Sequence, residues 1–139
     1  MNTNKILLGG IVGGVVFFFL GWLIYGMLLA DFMEAHSNSC AMRPMEDFIW
    51  WAMIASNLAS AILLSIVFSW SNITGFAGGL KTGAIIGLLI GLSIDLSFYS
   101  MSTTFADMSA LVIDILAYTV MTGIAGGVIG WVMTMGKKE

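Results

Sequence analysis

Two carboxylic acids lie within long apolar stretches of this chain, where an ionisable side chain is costly to place. Asp95 lies in the stretch 80–99 and Asp114 in the stretch 109–135. Both are set in the same pattern, I-D-[LI]-x-x-Y, at 94–99 and 113–118. A carboxyl group removed from water can bind a proton and exchange it for another cation. The repeated pattern therefore indicates a candidate proton or cation site.

Polar residues near these acids complete the candidate site. Tyr99 and Tyr118 end the two patterns, and Asn57 lies in an earlier apolar stretch. If residues 80–99 span a membrane, Asp95 lies about 7–8 Å from the midpoint of the span. An aspartate at the centre of a span costs about 2.5–3.5 kcal/mol to insert, and somewhat less at intermediate depth. A compensating contact for Asp95 is therefore expected.

Two structural interpretations of Asp95 stay open beside the functional one. The acid could be solvated near the lipid headgroups, with no further role. Alternatively, it could be protonated or hydrogen-bonded to a neighbour that satisfies it. The candidate neighbours are Asn57, Ser93, Tyr118 and Arg43.

Soft metal ligands cluster in the connection 31–47. His36, Cys40, Met42 and Met45, with Met33 close by, offer imidazole, thiolate and thioether groups, which suit copper. Their spacing matches no defined metal motif, methionines also serve in packing, and a lone cysteine can be an unreactive thiol. We therefore expect no metal and no cofactor. With one histidine and no nucleophile or phosphate-loop motif, we also expect no catalytic residue and no enzymatic activity.

The composition indicates an integral membrane protein. Of 139 residues, 59% are hydrophobic and 9% are charged, whereas about 25% are charged in an average soluble domain. So few charges could not cover a globule with a hydrated surface, so the apolar surface must face the lipid bilayer. The net charge of −3 and the lack of a basic run exclude a nucleic-acid partner.

Four apolar stretches are long enough to cross a bilayer, namely residues 6–30, 48–70, 80–99 and 109–135. They lack the alternation of a transmembrane barrel, so the fold class is all-α. The connections 71–79 and 100–108 are short, which favours antiparallel neighbours. We expect one domain over residues 1–139, built as an up-down-up-down bundle of four transmembrane helices.

The charges predict how this bundle is oriented. With four crossings, every lysine falls on the face that carries both termini. Every acid except Glu139 falls on the opposite face, which also receives Arg43. Because lysine and arginine are enriched on the cytoplasmic side, both termini are expected in the cytoplasm. The expected location is the cytoplasmic (inner) membrane of a bacterium.

Glycines recur at intervals of four residues within the apolar stretches. Residues four apart share a helix face, and small residues there let two helix backbones approach closely. The spacing does not decide whether the neighbour belongs to the same chain or to a second copy. The principal predicted packing residues are Gly79, Gly83, Gly87 and Gly91 in the third stretch and Gly123 and Gly127 in the last, beside Gly126 and Gly130.

The glycine rows leave open whether the two acids meet. Asp95 continues the row of the third stretch one step past Gly91. Asp114, in contrast, lies about 180° around its helix from Gly123 at about 100° per residue. The faces that carry the glycines need not bring the acids together, and Asp114 is expected to be the shallower of the two.

The segment 20–26, which reads LGWLIYG, resembles the first-helix signature of a family of small four-span bacterial membrane proteins classed as a domain of unknown function. The glycine-rich third stretch and the final stretch, from Asp114 and Tyr118 to Trp131, are also similar to that family. The chain departs from the family pattern at Met27, where a proline is common, and at Met33, where a tryptophan is common. The resemblance implies four spans and no assigned activity or site.

Two functions are consistent with these features. The first is a non-enzymatic membrane protein that packs into a homo-oligomer or serves as a small subunit of a larger membrane complex. The alternative is a small proton- or cation-coupled transporter or channel that uses Asp95 as the exchangeable acid.

Overall fold

The first helix begins at Thr3, because the Asn2 side chain accepts hydrogen bonds from the backbone amides of Asn4 and Lys5 and so caps the helix. The computed structural model describes residues 2–38 and 43–135, and these residues form helices, turns and irregular segments without a strand. Five α-helices follow one another: α1 (Thr3–Leu23), α2 (Ala30–His36), α3 (Trp50–Trp70), α4 (Gly75–Met101) and α5 (Met108–Thr134). A π-helical turn, Ile24–Leu28, extends α1, and a 3₁₀ turn, Met45–Asp47, precedes α3.

Four of these helices are long and apolar enough to cross a membrane, as the composition predicts. They are α1 with its π turn, α3, α4 and α5. The all-α class is confirmed, with one addition: the end of the first predicted span, together with the polar residues after it, forms the separate short helix α2. Leu29 has a non-helical backbone conformation and separates α2 from the π turn.

Helix α4 is longer than the sequence predicts at both ends. The predicted span 80–99 lies within it, and the helix begins at Gly75, whose φ of +76° turns the chain from the preceding loop into the helix. Gly79 lies against Gly126 and Gly130 of α5. This close packing holds glycines in a helix that their low helix propensity would not favour.

The helices pack in a row in which α1 lies between α3 and α5, and α4 packs on α5. Gly10 and Gly14 of α1 lie against Ile62 and Leu58 of α3, so these two helices run antiparallel. The core between α1, α3 and α5 includes Phe17, Ala61, Leu64, Phe68, Ala125 and Ile129, all buried. Because lipid tails supply no hydrophobic drive between helices, this close dispersion contact stabilises the bundle.

Hydrogen bonds tie the loop after α2 to the loop between α4 and α5. The backbone amide of Asn38 donates to the carbonyl of Thr104 at 2.8 Å, and the amide of Ala106 donates to the carbonyl of His36 at 2.8 Å. Ser37 and Phe105 form an isolated antiparallel bridge between these bonds. The loop that follows α2 is therefore joined by hydrogen bonds to the loop that follows α4.

Candidate functional site

Asp95 lies on the small-residue face of α4, one turn beyond Gly91. Its side chain is buried, with 8% of the residue exposed. Its Oδ2 atom is inaccessible and has no hydrogen-bond partner within residues 2–38 and 43–135. A polar atom in this state costs free energy, because it has lost water without gaining a partner.

The face of α5 opposite Asp95 is set by a series of residues at intervals of four. A Cβ added at Gly83 would lie 3.1 Å from Cα of Gly126, and one added at Gly87 would lie 2.6 Å from Cβ of Thr122. A Cβ added at Gly91 would lie 3.5 Å from Cδ1 of Tyr118. Each step of four along α4 is matched by a step of four back along α5.

The same series brings the two acids together. One further step pairs Asp95 with Asp114, and the two carboxyl groups are close enough for one to hydrogen-bond to the other when it is protonated. The sequence alone leaves open whether the two acids meet, because the principal packing residues predicted for the last stretch are Gly123 and Gly127. Those glycines flank the contact, against Ala84 and the Phe76 ring, while Gly126 and Gly130 face the row on α4.

The two acids also lie at matching depths in their helices. Asp95 is seven residues from the middle of α4, and Asp114 is seven residues from the middle of α5. Each acid is therefore about 10 Å from the midpoint of its helix. The predicted stretches place Asp114 farther from the midpoint than Asp95; the two distances become equal because α4 extends beyond its predicted stretch at both ends.

Tyr25 joins the acid pair from the first span, and sequence reasoning did not include it in the site. It lies in the π-helical turn, and its hydroxyl donates to the backbone carbonyl of Asp114 at 3.4 Å. Its phenol also interacts with the Asp114 side chain. A π turn adds a residue to one helical turn and commonly occurs at functional sites. The signal in the sequence was a single phenol near the end of an otherwise apolar stretch.

Tyr118 lies beside the pair, as its place in the repeated pattern predicts. It is half-buried against Gly91, and its ring is close enough to Asp95 to interact electrostatically with the carboxylate. Its backbone carbonyl accepts a hydrogen bond from the Thr122 hydroxyl at 2.8 Å. Tyr25, Asp95, Asp114 and Tyr118 are called the acid cluster below.

Two of the predicted site residues lie elsewhere. Asn57 is on α3, which makes few contacts with α4, and its side-chain amide donates to the carbonyl of Met53 at 2.9 Å. Tyr99 is on α4 but points away from the bundle, with 42% of the residue exposed. Of the other neighbours considered for Asp95, Ser93 and Arg43 are both exposed.

The histidine of the suggested metal cluster contacts protein groups instead. His36 Nδ1 lies 2.8 Å from the Phe32 carbonyl, and Nε2 lies 3.9 Å from Oδ2 of Asp107. Cys40 and Met42 lie outside the described residues. Within residues 2–38 and 43–135, no group of three histidine, cysteine or acidic residues is arranged to hold a metal ion.

The acid cluster can hold one proton between two carboxyl groups. Two carboxylates at close range repel each other strongly where the local dielectric constant is low, so a proton or small cation between them lowers the energy. Tyrosine hydroxyls can donate to a carboxylate or accept from a protonated carboxyl.

Searches of family models, curated proteins and solved structures gave no match to this chain.

Proposed function

We propose that this chain is a small proton- or cation-coupled transporter or channel of a bacterial cytoplasmic membrane, in which Asp95 and Asp114 bind and release the coupling proton. The observation that carries the proposal is the buried Oδ2 of Asp95, which lacks a partner within the described residues and lies beside a second carboxyl group. Two ionised carboxylates cannot hydrogen-bond to each other, whereas a pair that shares one proton can. An unsatisfied oxygen beside a second acid is the arrangement expected of a site that accepts a proton or cation.

The orientation belongs to the same proposal. We place the chain as an up-down-up-down bundle with both termini in the cytoplasm, since this arrangement gathers the lysines on the inner face. The acid cluster then lies in the outer half of the membrane, below the two hydrogen-bonded loops that follow α2 and α4, which are called the paired loops. Membership of the four-span family that the sequence resembles is consistent with this topology.

The alternative is a packing protein without a coupling site, in a homo-oligomer or as a small subunit of a membrane complex. The glycine row of α4, whose spacing leaves open whether its neighbour is in the same chain or in a second copy, lies against α5 of the same chain. An assembly would therefore use other faces of the bundle. Neither proposal includes an enzymatic activity.

Proton movement into liposomes tests the proposed function. The purified protein is reconstituted into liposomes that contain a pH indicator, and a pH, Na⁺ or K⁺ gradient is imposed. Asp95→Asn keeps the shape of the side chain but cannot exchange a proton, so we expect proton flux at least about tenfold below that of the unchanged protein. Asp114→Asn should lower the flux in the same direction.

The matched control is Asp31→Asn, which removes an exposed acid of α2 outside the spans. It should leave the flux unchanged, and all three variants should retain their helical circular dichroism. Equal flux from Asp95→Asn and the unchanged protein would exclude Asp95 as the coupling group. Flux no faster than in protein-free liposomes would overturn the proposal as a whole.

A further inference from the structure

A cavity lies at the end of the bundle opposite the acid cluster. It is formed where α1 begins, where α3 ends, at the turn into α4 and near the end of α5. Its volume is about 330 Å³, within the range of about 300–1,000 Å³ that is common for small-ligand sites. Helices α1, α3 and α5 and the turn that leads into α4 thus surround one opening at this end of the bundle.

The lining of this cavity is divided into a polar and an apolar part. Lys5, Asn72 and Thr74 provide an ammonium group, an amide and a hydroxyl. Ile73, which is partly exposed, and the edge of Met133 provide apolar surface. A ligand that fits both parts has a polar, hydrogen-bonding head joined to an apolar portion.

Electrostatics favour an anionic head. No acidic residue lines the cavity among the residues described, and the single ion pair formed within residues 2–38 and 43–135 joins His36 to Asp107 at the far end of the bundle. Lys5 therefore faces the cavity without a carboxylate partner in that part of the chain. Thr74 makes no side-chain cap at the start of α4, so its hydroxyl is not used by the helix.

We infer that this cavity binds the phosphate of an anionic phospholipid, with Lys5 as its cationic contact. Lysine stems lie along apolar surface while the ammonium reaches the headgroup level, and basic pockets between spanning helices bind such headgroups. A free phosphate ion offers the same charge and hydrogen-bond acceptors. The accessible apolar residue Ile73, with the edge of Met133, favours the lipid, because only the lipid carries a glycerol and acyl portion to cover it.

Lipid binding to the full chain in an uncharged detergent tests this inference. Native mass spectrometry would compare phosphatidylglycerol with phosphatidylcholine of the same chain length. We expect the unchanged protein to bind phosphatidylglycerol about fivefold or more tightly, the effect of about one lysine near a headgroup. Lys5→Gln should reduce this preference to less than about twofold, as expected when that one contact is removed.

The matched control is Lys81→Gln, since Lys81 is an exposed lysine of α4 that does not line the cavity. This variant should retain the preference for phosphatidylglycerol. If Lys5→Gln fails to fold, Asn72→Asp introduces a negative charge into the same cavity and should abolish the preference. Asn72 has φ of +53°, a conformation that aspartate also tolerates.

Three outcomes would overturn the inference. One is equal binding of the two lipids by the unchanged protein. Another is a preference that persists in both Lys5→Gln and Asn72→Asp. The third is displacement of phosphatidylglycerol by inorganic phosphate at equal concentration, which would assign the cavity to the free ion rather than to the lipid.

Discussion

At the scale of single residues, the acid cluster contains groups that a membrane interior normally excludes. Asp95 is buried with an unsatisfied oxygen, and Asp114 lies beside it. Each acid adds an insertion cost of up to about 3 kcal/mol. Two tyrosines lie beside the acids: the Tyr25 hydroxyl donates to the backbone carbonyl of Asp114, and the Tyr118 ring lies near Asp95. Under the proposed function, binding of a proton or cation would lower the remaining cost.

Replacing Tyr25 measures how far the first span holds the acid cluster. Tyr25→Phe removes the hydroxyl that bonds to Asp114, so the free energy of unfolding should fall by about 0.5–1.5 kcal/mol. Tyr99→Phe deletes the same atom from an exposed ring of α4 and should change the stability little. Unfolding in mixed detergent micelles measures both, and equal effects of the two changes would contradict the role given to Tyr25.

The sequence predicts part of this cluster for a definite reason. Asp95, Asp114 and Tyr118 stand out because the pattern I-D-[LI]-x-x-Y occurs twice in apolar surroundings. Tyr25 was missed because it reaches Asp114 through a local π turn, and such a turn has no simple periodic signal. Tyr99 was included wrongly because the pattern repeats while the helix faces do not: Tyr118 faces α4, and Tyr99 faces outward.

At the scale of helices, the contact between α4 and α5 depends on the absence of side chains. Gly83 lies so close to α5 that an added Cβ would be 2.5 Å from the carbonyl oxygen of Thr122. A backbone atom cannot move aside as a flexible side chain can. The two helices therefore have to separate if any atom is added at this position, and the acid cluster depends on the same helix pair.

Two glycine substitutions on α4 separate the effect of packing from that of helix propensity. Gly83→Ala should lower the free energy of unfolding by about 1–3 kcal/mol, because the new methyl group collides with the α5 backbone. Gly78→Ala adds the same methyl group where the nearest atom, Cγ2 of Ile73, is 3.5 Å away. That change should raise stability by up to about 1 kcal/mol through better helix propensity. Loss of stability in both, or in neither, would contradict the packing account.

The helices themselves were largely predictable because a bilayer requires long apolar segments. The four spans follow from hydropathy alone. The start of α4 does not follow from hydropathy. The residues from Gly75 to Gly79 have the composition of a flexible loop, and their packing against α5 holds them in a helix. Helix α2 was missed for a similar reason: seven residues carry too short a pattern to be assigned.

At the scale of the whole molecule, opposite ends of the bundle have different chemistry. One end carries the acid cluster, the paired loops and most of the carboxylates, and the other carries Lys5, Lys81 and the phosphate cavity we infer. Such asymmetry sets the orientation of a membrane protein during insertion. It also separates the proposed proton or cation site from the proposed site for an anionic headgroup.

Labelling of cysteines with a membrane-impermeant maleimide checks this orientation. The chain has one cysteine, Cys40, in the connection predicted to lie outside the cytoplasm. It should react in intact spheroplasts. A Cys40→Ala protein that carries Lys81→Cys should react after the membrane has been permeabilised and not before. The reverse pattern would place the acid cluster in the inner half of the membrane.

The short loop between α4 and α5 has a consequence for biosynthesis. Asp95 and Asp114 belong to consecutive spans joined by the loop that follows Met101 and precedes Met108. The two helices can leave the ribosome and enter the bilayer as a hairpin, with each acid already beside the other. A pair that shares one proton would then enter with a charge of −1, rather than as two separate carboxylates with a total charge of −2. Helix α1, in contrast, meets its partner α5 only after the last span has been synthesised.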